Sequence, residues 1–175
     1  MTNTLTKNST QIQIPTHLMS MTQKLQQNTT MTSYLFDLES TGLLRRGSTI
    51  HCIVMRNLSQ ADAPEVFDYK PERAIIQGVK ALERAEVLIG HNILGYDIPL
   101  IKEQFPDFDF QGEAVDTLVL SRLFYPHIID RDYERRPVGM PQKLYGRHSL
   151  EAWGYRLKCF KGDFGKHEGN WADYT

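Results

Sequence analysis

The chain has 175 residues, 41% of them hydrophobic, which suits one domain with a real core. Twenty Lys and Arg against 21 Asp and Glu leave a formal net charge of −1; that excludes a chromatin-type basic footprint but not an enzyme holding a few nucleotides at a local site. Two cysteines, Cys52 and Cys159, with no CxxC and no His/Cys cluster, exclude a zinc site and a disulfide framework, and no apolar run nears the roughly 20 residues of a membrane span.

Residues 1–32 are rich in Thr, Gln, Asn, Ser and Met and hold no aromatic residue. Such a stretch cannot bury enough surface to offset its ordering entropy, so a disordered tail is expected there. It has no signal-peptide layout. Met31 stands just before the first strand pattern, as a start assigned too far upstream, or a short functional arm, would place it. The globular pattern starts at Ser33. Residues 33–38 (SYLFDL), 49–58 (TIHCIVMRNL) and 65–69 read as three strands, with a turn over 42–48. Pro71 opens a helix with Ile75, Ile76, Val79 and Leu82 on one face. Residues 86–90 (EVLIG) form a short buried strand, 97–105 a helix, and 114–116 another strand end. Residues 117–124 (TLVLSRLF) form a helix capped by Asp116. Residues 126–147 read as a long polar loop, and 149–157 as a helix with Leu150, Trp153 and Leu157 on one face. Trp153 and Cys52 read as core residues. The expected fold is α/β: three antiparallel strands, then alternating α and β, in a mixed sheet flanked by helices.

Two groups of residues carry chemistry. In Phe36-Asp37-Leu38-Glu39-Ser40-Thr41-Gly42, Asp37 and Glu39 are two apart on a strand and share a face. Adjacent carboxylates repel unless a cation or proton sits between them, and oxygen-liganded Mg²⁺ or Mn²⁺ suits them. Two incidental acids on a solvent-facing strand end give the same pattern. In Gly90-His91-Asn92-Ile93-Leu94-Gly95-Tyr96-Asp97, a buried strand ends in a polar turn and Asp97 opens a helix. An acid in a first helical turn also simply complements the dipole.

Together these segments resemble the first two motifs of the DEDD exonuclease superfamily. Residues 115–123 (VDTLVLSRL) and 148–157 (HSLEAWGYRL) resemble the 3′→5′ proofreading exonuclease domain of phage-type family A DNA polymerases, and the resemblance spans about residues 33–165. It implies a ribonuclease-H-like fold. It also implies a catalytic and metal-binding set of Asp37, Glu39 and Asp97, holding two divalent ions, Mg²⁺ or Mn²⁺, by the general two-metal scheme. The implied substrate is the 3′ end of single-stranded DNA, and the implied partner is the remaining polymerase polypeptide. No membrane is expected, and the compartment is cytoplasmic, the host's if the chain is phage-encoded. In the family a later helix supplies a fourth acid and a tyrosine as Tyr-x-x-x-Asp. That spacing is not found around Asp173 and Tyr174, so the expectation is a domain incomplete at its C-terminus and impaired in activity.

Ser40, Thr41, Leu43, His91, Asn92, Arg135, Arg136 and Arg147 are the candidate nucleic-acid contacts. Leu43, Leu44, Arg45 and Arg46 follow the first motif and suit a terminal base and phosphate, or serve only as turn residues. The segment 126–147 interleaves arginines with Tyr133 and Tyr145, as phosphate pairing and base stacking require, and as a solvated loop also allows. His91 suits a substrate contact or a structural cap. A ribonuclease of the same superfamily, and a non-catalytic module binding single-stranded DNA or a polymerase partner, are the rival readings.

Overall fold

The computed structural model describes residues 31–42, 47–60 and 62–159. Residues 1–30 of the expected 1–32 tail, the residues 43–46 with Leu43, and the stretch 160–175 lie outside the described residues, while Met31 and Thr32 are hydrogen-bonded to Ser59 and Glu86.

Among the described residues, five strands and five α-helices follow in chain order: β1 Ser33–Ser40, β2 Ile50–Asn57, β3 Glu65–Phe67, α1 Ile75–Glu83, β4 Val87–Gly90, α2 Asp97–Gln104, β5 Glu113–Asp116, α3 Thr117–Phe124, α4 Ile128–Arg135 and α5 Leu150–Leu157. The sheet order is β3-β2-β1-β4-β5. β1 runs antiparallel to β2, and β2 to β3, while β4 lies parallel to β1 and β5 parallel to β4. This is the expected mixed sheet, and it puts β1 at the centre.

Alternation along β1 decides its two faces. Phe36 and Leu38 point into the main core with Ile53, Met55 and Phe67 of the neighbouring strands and Leu88 of β4. Val79 and Leu82 of α1, Leu100 and Ile101 of α2, and Ile93 and Phe108 close over them. Leu35 and Asp37 face the other way and are exposed. Cys52 pairs with Glu39 across β1 and β2 and is half-buried on that second face, outside the main core.

Three local expectations fail for physical reasons. Pro71 opens only a short 3₁₀ turn, Pro71–Arg73, and α1 begins at Ile75. Ala74 is held extended (φ −63°, ψ 144°) by a bridge to Asp68, so the helix starts afresh after it. Ile76 then turns outward, away from the Val79 and Leu82 face. Residues 126–147 contain α4, not a continuous loop. The inner positions of α4 are Ile128 and Asp132, four residues apart, and one aspartate in place of a second apolar residue hides the helical stripe. On α5 the buried residues are Ala152 and Gly154, while Leu150 is 47% and Leu157 68% exposed. Ala152 joins Met140 and Leu144 in a second, smaller core, and Trp153 is only half-buried.

Candidate functional site

The acids collect where β1 ends beside the β4–α2 connection. Asp37 and Glu39 share the second face of β1, as their spacing predicts; Asp37 is exposed and Glu39 half-buried. Asp97 opens α2 yet is only 3% exposed, so it is no routine surface dipole residue. Its Oδ1 is buried with no hydrogen-bond partner. Burial first, and then the Asp37 carboxylate, push the Asp97 carboxyl up to about 7; the amides of Asp97 itself and Leu38 pull the other way. Asp37 and Asp97 are therefore electrostatic neighbours with a shortage of positive charge between them.

Hydrogen bonds join the two motifs. The Tyr96 hydroxyl bonds both Ser40 Oγ and the Gly42 carbonyl, tying the end of β1 to the residue before Asp97. Ser40 Oγ also reaches Gly42 O at 3.2 Å. Thr41 closes the β1–β2 hairpin: its amide donates to Thr49 O at 3.0 Å, and its Oγ1 accepts from Thr49 N at 2.8 Å. His91 Nδ1 lies 3.0 Å from Thr117 Oγ1, and burial lowers the pKa of the ring. Asn92 adopts a left-handed φ of 69°, a conformation asparagine tolerates better than most residues.

The turn between Gly90 and Asp97 is held from outside by Asp116, whose cap on α3 was legible but whose wider reach was not. Asn92 N and Leu94 N donate to its two oxygens at 2.9 and 3.1 Å. Burial alone would raise the Asp116 carboxyl, but four backbone donors, Leu94, Asn92, Leu118 and Val119, hold it below the usual carboxylate range. Tyr96 and Thr117 are further participants that no sequence pattern singled out.

Arg135 and Arg136 are exposed at the end of α4, and Arg136 is its left-handed cap (φ 45°). Arg147 is exposed, and its carbonyl accepts from Arg156 Nη1 at 2.8 Å. Among the described residues no hydrogen bond or ion pair joins these arginines to Asp37, Glu39 or Asp97. Tyr133 and Tyr145 stack edge to face, 5.3 Å between centroids.

The DNA-directed DNA polymerase of Escherichia phage T7 is 36% identical over 138 residues, covering 73% of this chain. That of Enterobacteria phage T3 is 35% identical over the same length. The chain is homologous to a segment of these phage DNA polymerases. It spans 19% of the length of those relatives. No protein-family profile matches the chain. Among solved structures, the apo form of a nuclease superposes with a TM-score of 0.54 at 20% identity, covering 82% of this chain and 60% of its own. Brucella melitensis NrnC with bound Mg²⁺ gives 0.51 at 15%, covering 83% and 61%. The Aedes aegypti Nibbler EXO domain gives 0.52 at 13%, covering 88% and 70%. The shared architecture is the ribonuclease-H-like exonuclease fold. No helix of the described residues is long and apolar enough to cross a membrane.

As a divalent-metal site, the cluster fits by its donor chemistry. All three candidate ligands are carboxylates, the hard oxygen donors that Mg²⁺ and Mn²⁺ prefer, and the orphaned Asp97 Oδ1 lacks the partner a cation would be. Among the described residues no group of three or more His, Cys, Asp or Glu side chains is placed to hold a metal ion. The structure thus pairs Asp37 with Asp97, with Glu39 on the same strand face as Asp37, and shows no preformed cage.

Proposed function

We propose that this chain is the 3′→5′ exonuclease part of a phage-type DNA polymerase, removing 3′-terminal nucleotides from single-stranded DNA during proofreading. The observation that carries this reading is Asp97, buried beside Asp37 with an unpartnered oxygen and a carboxyl pushed up to about 7. Homology to phage polymerases supports the reaction class.

Asp37, Glu39 and Asp97 would hold divalent ions, two of them by the general scheme. Bound there, such ions supply Lewis-acid activation of water and charge stabilisation at the leaving 3′ oxygen. The protein's own part is placement. The Tyr96 bonds to Ser40 and Gly42 lock the two acid-bearing segments together. Exposed Asp37 leaves the site open to a strand end, while the buried position of Asp97 keeps its carboxyl away from competing water. Ser40, Thr41, His91 and Asn92 would flank the strand end, Leu43 is a candidate from the sequence alone, and Arg135, Arg136 and Arg147 would offer phosphate contacts farther along the chain. The compartment would be that of phage replication, the host cytoplasm.

Mn²⁺ titration tests the metal reading. The melting temperature should rise with Mn²⁺ by ligand linkage, and an Asp37→Ala, Glu39→Ala double variant should lose that rise. An undiminished response in the double variant would put the metal elsewhere. The 175 residues contain no Tyr-x-x-x-Asp after Asp97, so the chain alone should release labelled 3′-mononucleotide poorly, and fusion to a segment bearing that motif should restore release. A non-catalytic module binding single-stranded DNA or the polymerase polypeptide is the second reading, favoured by the lack of a closed ligand set. It predicts DNA binding with no Mn²⁺ response.

A further inference from the structure

Asp116 does more than cap a helix. It ends β5, opposite Gly90 of β4. Its Oδ1 accepts from Leu118 N at 2.8 Å and Val119 N at 3.4 Å, both in the first turn of α3. Those two bonds are an ordinary N-cap. The same Oδ1 accepts from Asn92 N at 2.9 Å, and Oδ2 from Leu94 N at 3.1 Å, 24 and 22 residues upstream. Capping α3 requires neither of them. They grip the turn that leads to Asp97.

That turn passes the grip onward. Gly95 N and Tyr96 N donate to Asn92 O at 3.1 and 2.9 Å, and Ile98 N donates to Ile93 O at 3.0 Å. Thr117 adds a bond from its Oγ1 to Gly90 O at 3.1 Å. Asn92 sits at positive φ, a conformation that persists when its surroundings over-determine it. From Gly90 to the first turn of α2 the backbone is thus held by its own bonds and by three from Asp116 and Thr117.

We propose that Asp116 is a positioning residue for the Asp37–Asp97 site, fixing the β4–α2 turn so that Asp97 is delivered beside Asp37. With four amide donors on its carboxylate, Asp116 orients the ligand set without joining it. This role rests on the metal reading given above.

Two substitutions separate positioning from capping. Asp116→Asn keeps an oxygen for the α3 amides but sets an NH₂ group against the Leu94 N–H. Asp116→Ser keeps a capping oxygen and gives up both bonds to the turn. Asparagine and serine both cap helices well, so a capping role alone predicts parent-like behaviour. Mn²⁺ affinity of the full chain, measured by electron paramagnetic resonance, is the readout. Removing an outer partner of a metal site costs on the order of 10–100-fold in affinity; Asp116→Asn should lose about tenfold by that measure, and Asp116→Ser more. Amide exchange at residues 92–96 should quicken in both variants while β1 stays protected. Folded variants that bind Mn²⁺ as the parent does would overturn the positioning role and leave the metal reading intact. Unfolding of both would make Asp116 a structural residue, which also overturns it. If the parent shows no Asp97-dependent Mn²⁺ binding, the metal reading itself fails, and the positioning role goes with it.

Discussion

Asp97 and Asp116 are both buried, 3% and 4% exposed, yet their carboxyls move in opposite directions. Asp116 has four backbone donors and stays ionised. Asp97 has an orphaned oxygen and an acidic neighbour, so its proton is held up to about 7. That difference has a signed consequence for stability. Between the ordinary value of 3.8 and about 7 the folded protein holds a proton the unfolded chain releases. Metal-free stability therefore falls as pH rises through that window, and above it the full penalty remains. Asp97→Asn, which cannot ionise, should be more stable than the parent at pH 8 in EDTA. A shift of about three units caps the gain at about 4 kcal/mol, and about 2 kcal/mol is expected. By pH 4 the difference should be mostly gone. Urea melts at the two pH values check this; parallel pH profiles would contradict it. Added Mn²⁺ should stabilise the parent and not the variant.

The elements show why the site sits where it does. Gly90, the last residue of β4, sits where nothing larger fits. A Cβ there would lie 2.3 Å from Ile93 Cγ2 and 2.8 Å from the Phe36 carbonyl oxygen. Gly90→Ala must push β4 away from β1 or displace the turn, so a loss of about 1–3 kcal/mol is expected from overpacking. The site should loosen with it. A denaturant midpoint equal to the parent's would show that the turn absorbs the methyl group freely. Beside it, the register of β1 with β2 shifts between Glu39 and Ser40, so Glu39 faces Cys52 and Ser40 faces Ile50. Cys52 thus shares a face with the acids; burial first, and then Glu39, push its thiol up. Alternation along β1 was readable from residue order alone, whereas the shifted register was not, because a bulge depends on the partner strand.

At the scale of the molecule, the sheet and its two covering helices hold the main core, and a smaller one forms where Ala152 of α5 meets Met140 and Leu144. A buried ion pair joins α4 to α5. Arg156 reaches Asp132 through Nε at 2.9 Å and Nη2 at 2.6 Å, and Gly146 N adds a bond at 2.8 Å. Burial opposes ionisation of Asp132, but Arg156 and the Gly146 amide outweigh it and hold the carboxyl below its ordinary value. Its stabilising contribution is present above the ordinary carboxylate pKa and is lost as pH falls through the lowered one. Arg156→Met would leave the Asp132 charge buried and unpaired, at a cost of about 3–5 kcal/mol. Hydrogen exchange should show faster opening over α4 and α5, with the amides of Ile53 and Leu88 least affected. Uniform loss of protection across the sheet would mean that the two cores unfold as one.

The sequence by itself determined the succession of strands along the chain, the shared face of Asp37 and Glu39 and the Asp116 cap, and its short motifs carry the phage-polymerase resemblance. Each follows from residue periodicity or from a short local pattern, and the chain carries both in plain view. Tertiary structure alone decided how deeply Asp97 is buried, since burial is set by what α2 packs against. It also decided that Asp116 grips Asn92 and Leu94, because a carboxylate's remaining lone pairs go to whichever amides the fold brings near. The helix α4 stayed hidden for the same reason. Its inner face is an isoleucine and an aspartate, and only partners distant in sequence, Arg156 and the Gly146 amide, let that aspartate be buried.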